Sequence, residues 1–267
     1  MRNIKSDVYN TIKLIKVPFW DGIDNIYRPY FNTNEKLDVV YSITDIKDKD
    51  VLCVQASTDH MFKCIENDAK SIDTFDINYL AKYFYYLKKN YLLAFNKNMD
   101  GSVTKDELYY VLKCFDTTNQ DEKEAYNFWS ELFPLISLND FFSLFYICPN
   151  YLDYDIEKIK YRIKNLKLNF HLINVFENAF INDKKYDVVI LSNIFESTGI
   201  LSKSHELLKR IVNPYGEIIC SNLATFNVNE HSMYERAKME EYFYYDKGIT
   251  VMEDNIPYQI AYKYIKK

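Results

Sequence analysis

Residues 51–78, VLCVQASTDHMFKCIENDAKSIDTFDIN, limit what this chain can fold into more than any other stretch. A β-branched apolar run over 51–54 leads into a loop of small residues, Ala56-Ser57-Thr58-Asp59. An amphipathic stretch over 59–67 follows, and a second apolar run over 71–75 ends on Asp76, twenty residues beyond Ala56. Strand, loop, helix, strand and terminal acid is the layout of a nucleotide-binding βαβ half, in which the loop approaches the ligand and the acid takes ribose hydroxyls. The loop lacks the glycines that let a backbone approach a pyrophosphate, and Asp59 stands where a pyrophosphate would be repelled. Ser, Thr and Asp in that place suit a ligand carrying an adenosine and an ammonium group instead.

The flanking sequence extends this unit into an α/β fold. A helix is predicted over 79–95, with Leu80, Phe84, Leu87 and Tyr91 at helical spacing on one face. Helical patterns continue to about residue 165, and strand character returns at 169–175, 187–192, 217–221 and 256–265. Asn213-Pro214-Tyr215-Gly216 reads as a turn, and 234–244 as a helix or lid. Strands alternating with helices imply a Rossmann-like, doubly wound and mostly parallel sheet. The long gap between the second and third strands implies a helical insert. The expected organisation is an N-terminal lid or helical segment at 1–43, a Rossmann-like domain at 44–80 and 166–267, and the insert at 81–165.

Composition narrows the function classes. The net charge of −5 speaks against a broad basic surface for nucleic acid. Five cysteines, scattered and without a CxxC pair, fit free thiols in a reducing compartment better than a disulfide frame or zinc site. The N-terminus has no signal-type apolar core, and no segment approaches the ~18 consecutive apolar residues of a membrane span, so a cytoplasmic location is expected. HExxH, GxSxG and Walker A motifs are absent, and the four histidines show no ligand spacing. His60 reads as a polar surface residue in the first turn of a helix.

In a sheet of this kind ligands bind at the carboxyl ends of the strands. The candidates there are Gln55, Ala56, Ser57, Thr58 and Asp59 after strand one; Asp76, Ile77 and Asn78 after strand two; Val175 after strand three; and Ser192 and Asn193 after strand four. Asp76 would take the ribose diol and Ile77 would cover the adenine. S-adenosylmethionine is the ligand this set suits. The segments YRPYFNTNE, VLCVQASTDH, AKSIDTFDINYLAKYFYYLK and YDVVILSNIFE together resemble the class I S-adenosylmethionine-dependent transferases. The resemblance is to the diacylglycerol 3-amino-3-carboxypropyl transferase family of betaine-lipid synthesis and its bacterial methyltransferase-like relatives, and it spans about residues 25–225.

The resemblance implies a class I methyltransferase-like sheet, S-adenosylmethionine as cofactor, and transfer of a methyl or 3-amino-3-carboxypropyl group to a small-molecule or lipid acceptor. The chain departs from these relatives around Ser57, where they usually carry glycine. Asp59, Tyr27 or Glu35 would serve as base for the acceptor's proton. The segment 27–35 is expected to fold over the 56–59 loop, with Arg28 meeting the cofactor's carboxylate through its planar fork.

The rival reading is a non-catalytic Rossmann-like binding module. It gains a calcium-binding variant from NKNMDGSVTKDE, which sets Asn96, Asn98, Asp100 and Glu107 at EF-hand ligand positions around Gly101. The plainer account is that Gly101 ends one helix and Thr104-x-x-Glu107 is a capping box that starts the next, which leaves no metal site.

Overall fold

The two apolar runs of the βαβ half pair at the middle of a seven-stranded sheet. In this computed structural model the described residues are 2–19, 21–23, 26–148, 154–164, 166–172, 184–192, 204–223, 239–253 and 256–267. Strand β1 (Asp50–Val54) lies parallel to β2 (Ser71–Asp76), with Asp50 opposite Ser71 and Val54 opposite Phe75. Strand β3 (Lys167–Leu172) flanks β2, and β4 (Tyr186–Ser192) flanks β1 on the other side. Strand β5 (Val212–Leu223) follows β4 in parallel, and the antiparallel pair β6 (Phe243–Glu253) and β7 (Ile256–Lys266) closes that edge. The order is β3-β2-β1-β4-β5-β7-β6, with β7 reversed between β5 and β6. This is the Rossmann-like class I methyltransferase architecture.

Side chains alternate across the sheet, so each strand feeds two cores. Val51, Cys53, Val188, Ile190 and Ile219 pack under α2 (Leu37–Ser42), α3 (Asp59–Glu66) and α8 (Ile156–Ile163). Leu52, Val54, Val189, Leu191 and Ile218 face the other way, toward Leu208 of α9 (Ser204–Ile211). Burial on both faces is why β1 and β4 read as unbroken apolar runs rather than as alternating patterns.

A third core belongs to helices alone. Helices α1 (Ile4–Lys16), α4 (Tyr79–Phe95), α5 (Lys105–Leu112), α6 (Gln120–Leu132) and α7 (Leu138–Ser143) enclose Tyr83, Phe84, Phe128, Trp129 and Phe141. Tyr83 stacks on Phe128 at 4.5 Å, and Trp129 donates its indole N–H to the Tyr83 carbonyl at 2.8 Å. Arg2 forks onto Asp7, which also accepts from the Tyr83 hydroxyl at 3.0 Å and so ties α1 to α4. No described helix is long and apolar enough to cross a membrane.

One expectation in the C-terminal part of the chain is met in part and another fails. The stretch read as a helix or lid at 234–244 is helical at 239–242 and passes at residue 243 into β6, a strand the pattern did not reveal; residues 234–238 lie outside the described residues. The run of aromatics from 242 continues the look of an amphipathic helix, whereas pairing with β7 makes 243–253 an edge strand. Asn213–Gly216 is not a turn between elements but an irregularity inside β5. Tyr215 takes φ of 61°, and the register with β4 slips between Tyr186 and Val188.

Candidate functional site

The loop after β1 turns sharply without a glycine. Ala56 takes φ of 38° and Thr58 φ of 79°, both left-handed. Such conformations cost a non-glycine residue on the order of 1 kcal/mol and persist only where neighbours over-determine them. Here they are over-determined. Gln55 donates its backbone N–H to Phe75 at 2.9 Å, and Thr58 returns its own to the Gln55 carbonyl at 2.7 Å. The Gln55 amide meets the Thr58 hydroxyl at 2.9 Å, and the Ala56 N–H reaches Asp76 Oδ2 at 3.1 Å.

Asp76 ends β2 beside this loop. Its second oxygen accepts the Asn78 N–H at 2.9 Å, and burial pushes its carboxyl up to about 6 against the pull of these backbone donors. Ile77 stands next to it with 48 % of its surface open to solvent, an unusual exposure for isoleucine at a strand end. Asn78 caps α4, accepting from the Leu80 N–H, and donates to the Tyr27 carbonyl at 2.5 Å. That bond draws the N-terminal segment over the end of β2, with the Tyr27 ring exposed.

The rest of that segment, 31–36, is strapped across the strand ends. The Thr33 N–H donates to Asp59 Oδ2 at 2.6 Å, and the Lys36 N–H to Gln259 Oε1 on β7 at 2.7 Å. Lys88 of α4 spends its three donors on Asp59 Oδ1, the Phe31 carbonyl and the Ser57 carbonyl, at 2.9 to 3.0 Å. Asp59 and Lys88 are both almost fully buried. Asp59 is therefore the fastening between strap and loop. A general base needs a reachable lone pair, and both of its oxygens are sealed and bonded, so its reading as a base is corrected.

Glu35 is placed differently. Its Oε2 accepts from Ser192 Oγ at 2.5 Å and meets His60 Nε2 at 2.7 Å, while its Oε1 has no hydrogen-bond partner among the described residues. Ser192 itself takes φ of 54° at the end of β4. Behind His60, the Tyr41 hydroxyl donates to the His60 carbonyl at 2.9 Å and lies 3.4 Å from Nδ1. His60 is 1 % exposed, not the surface residue its helical position suggested, because its partner comes from twenty-five residues earlier in the chain.

Arg28 does not meet the 56–59 loop. Its guanidinium is buried and gives its N–H groups to the carbonyls of Leu14, Val17, Pro18, Phe19 and Ser143, so it clamps the end of α1 to α7. Nothing remains of its fork for a ligand carboxylate, and that expectation is corrected. The EF-hand-like stretch is likewise spent on structure. Thr104 and Glu107 form the capping box of α5, Glu107 also accepts from Lys97 at 3.0 Å, and Asp100 Oδ1 accepts from Ser102. Asn96 caps the other side of the stretch and accepts from Lys160. Val175 and Asn193 lie outside the described residues.

Sequence reasoning missed Lys88, His60, Gln259 and Ser221. Only Lys88 carried a signal, a lysine on the apolar side of a helix between Leu87 and Tyr91.

The architecture has solved counterparts. An S-adenosylmethionine-dependent methyltransferase from Aquifex aeolicus aligns over 89 % of this chain and 92 % of its own, at 11 % identity and a TM-score of 0.45. The N-methyltransferase NodS from Bradyrhizobium japonicum, in complex with S-adenosylhomocysteine, aligns over 96 % and 98 % at 8 % identity and 0.44. A TehB-like methyltransferase from Corynebacterium glutamicum aligns over 87 % of each chain at 7 % identity and 0.44. Likeness this loose carries no chemistry across. No family model matches the chain, and no curated protein sequence matches it.

Proposed function

We propose that the protein is an S-adenosylmethionine-dependent transferase, moving a methyl or 3-amino-3-carboxypropyl group to a small-molecule or lipid acceptor. The observation that carries the reading is Asp76: a carboxylate held at a strand end by two backbone N–H groups, half-buried, beside an exposed Ile77 and a strained loop. The donor set fits the cofactor. Asp76 would accept the ribose diol, Ile77 would cover the adenine, and the turn from Gln55 to Thr58 would face the amino acid portion, with Ser192 closing the far side. The cofactor, when bound, supplies a carbon made electrophilic by an adjacent sulfonium. The protein's own part is then to orient a nucleophile and exclude water. Glu35, held on one oxygen by Ser192 and His60, has its other oxygen unbonded and would take a proton once the strap that seals it opens; Tyr27, at the rim, would cover the site.

A non-catalytic binding module is the second reading, favoured by the internal commitment of Asp59, Lys88 and Arg28. Calorimetric titration with S-adenosylhomocysteine separates the two. The transferase reading expects binding, and Asp76→Ala should weaken it at least about tenfold, since charge-assisted bonds to two hydroxyls are lost. Binding that ignores Asp76→Ala would mean the wrong acid or the wrong ligand.

A further inference from the structure

On the α3 side of the sheet four strands change character toward the loop end. Cys53 of β1, Ile190 of β4, Ile219 of β5 and Ala261 of β7 all belong to one apolar cluster. Two residues further along its own strand each turns polar: Gln55 after β1, Ser192, Ser221 and Gln259, with Ser221 opposite Ala261 and Gln259 one step beyond, opposite Leu223. All four are buried, and Glu35 is buried against them through Ser192. In this row Glu35 Oε1, Gln55 Oε1, Ser221 Oγ and Gln259 Nε2 have no hydrogen-bond partner among the described residues. Polar atoms sealed from water are normally paired, and a carboxyl oxygen is the most expensive to leave alone. Four such atoms at the ends of neighbouring strands, tied together by the strap through the Glu35–Ser192 and Lys36–Gln259 bonds, read as the lining of a site rather than as scattered packing faults.

The bonds these residues do make fix what the row would accept. Gln259 turns its oxygen to the Lys36 N–H, so its amide nitrogen is left as a donor. Glu35 is held by Ser192 and His60 on Oε2, so Oε1 is left as a carboxyl oxygen able to accept. Ser221 can do either. An anionic guest would face Glu35, and an apolar one would pair nothing.

We propose that this row is the acceptor's binding site, and that it takes an amine whose neighbouring carbon carries a hydroxyl or carbonyl oxygen. The nitrogen donates to Glu35 Oε1 and Ser221 Oγ, and the oxygen accepts from Gln259 Nε2. Naming this guest the acceptor rests on the transferase reading; the site itself does not. His60 and Ser192 are positioning residues, since they hold Glu35 and leave its second oxygen open to the amine. The strap at 33–36 bonds to Asp59, His60 and Gln259 across the row, so entry requires it to lift, carrying Glu35 with it, and to close again over the guest.

The test is a titration of the full chain with ethanolamine, ethylene glycol and glycolate, with and without saturating S-adenosylhomocysteine, read by calorimetry and by melting temperature. Ethanolamine should bind about tenfold more tightly than either analogue, Glu35→Gln should remove that preference, and Asp76→Ala should leave it unchanged. If Glu35→Gln does not fold, Ser221→Ala, which deletes one unpartnered hydroxyl, should weaken ethanolamine by about threefold or more. Equal binding of the three probes, as expected of a row that merely holds water, overturns the proposal, and so does a preference for glycolate. If S-adenosylhomocysteine binds and ethanolamine does not, the amine site fails while the transferase reading stands. If ethanolamine binds and S-adenosylhomocysteine does not, the site stands and the transferase reading falls.

Discussion

The helical body and the strand ends use the same side-chain types to opposite effect. In the helical body, charges on α4 are answered from α6: Lys82 by Asp121 and Glu124, and Lys89 by Glu122. Trp129 meets Phe128 and Phe141 edge to face in the aromatic core beneath, and its one donor is satisfied. At the strand ends, left-handed Ala56, Thr58 and Ser192 crowd around a raised Asp76 and a row of unpartnered polar atoms. Of the five unpartnered buried side-chain atoms among the described residues, the helical body holds only Ser130 Oγ. One region spends its polarity on its own stability. The other keeps it in reserve, which is how binding sites differ from scaffolds.

Four changes would sharpen or break this contrast. The largest effect is expected at the seam between the regions. Lys88→Met removes a buried ammonium that answers Asp59 and two carbonyls, and should cost about 3–5 kcal/mol in urea unfolding. A loss below about 1 kcal/mol would mean the strap is not fastened there.

Next comes pH. A carboxyl raised to about 6 is mostly protonated at pH 5 and ionised at pH 7. Hydroxyl donors prefer the ionised form, so S-adenosylhomocysteine affinity should fall by about tenfold from pH 7 to pH 5. In the unliganded protein the sign is reversed. The folded state holds its proton more tightly than the unfolded chain does, so this group makes the fold less stable as pH rises from about 4 to about 6, by on the order of 2 kcal/mol. Affinity that is flat across that range would remove Asp76 from the ligand.

Ala56→Gly should come third, raising stability by up to about 1 kcal/mol through relief of the positive φ, with ligand affinity undiminished. A destabilised variant would show that the loop is not strained. The smallest effect is expected from Glu107→Gln. It preserves the capping box of α5 and should leave the melting temperature unaltered, with or without millimolar calcium. A calcium-dependent rise that the substitution abolishes would turn part of the scaffold into a site.

Much of the sheet was legible because its signals are local. The 79–95 helix was legible in its apolar spacing, although its C-cap is Asn96 and not Gly101. Strands β1 and β4 announced themselves as apolar runs. Strand β6 was hidden because an edge strand with one open face lacks such a run, and its register comes from β7. The site was legible only at the level of loops. Arg28 looked like a ligand anchor, since nothing in YRPYF says that its donors will meet carbonyls from α1 and α7. His60 and Gln259 were invisible because their meaning lies in Glu35 and Lys36, which reach them across the fold.

Helix α4 touches both regions along a single rod. Leu80, Phe84 and Leu87 sit in the helical core, Tyr85 and Leu92 in the sheet's core, and its Asn78 cap stands two residues past Asp76. A part that serves two structures binds their fates together. Melting should therefore proceed as one transition rather than as two. The helices after α4 are not an ornament that evolution or an engineer could trim away: excision of α5 and α6 would strip α4 of the helices packed against it, and Lys88, carried on that rod, would no longer be braced where it holds the strap shut.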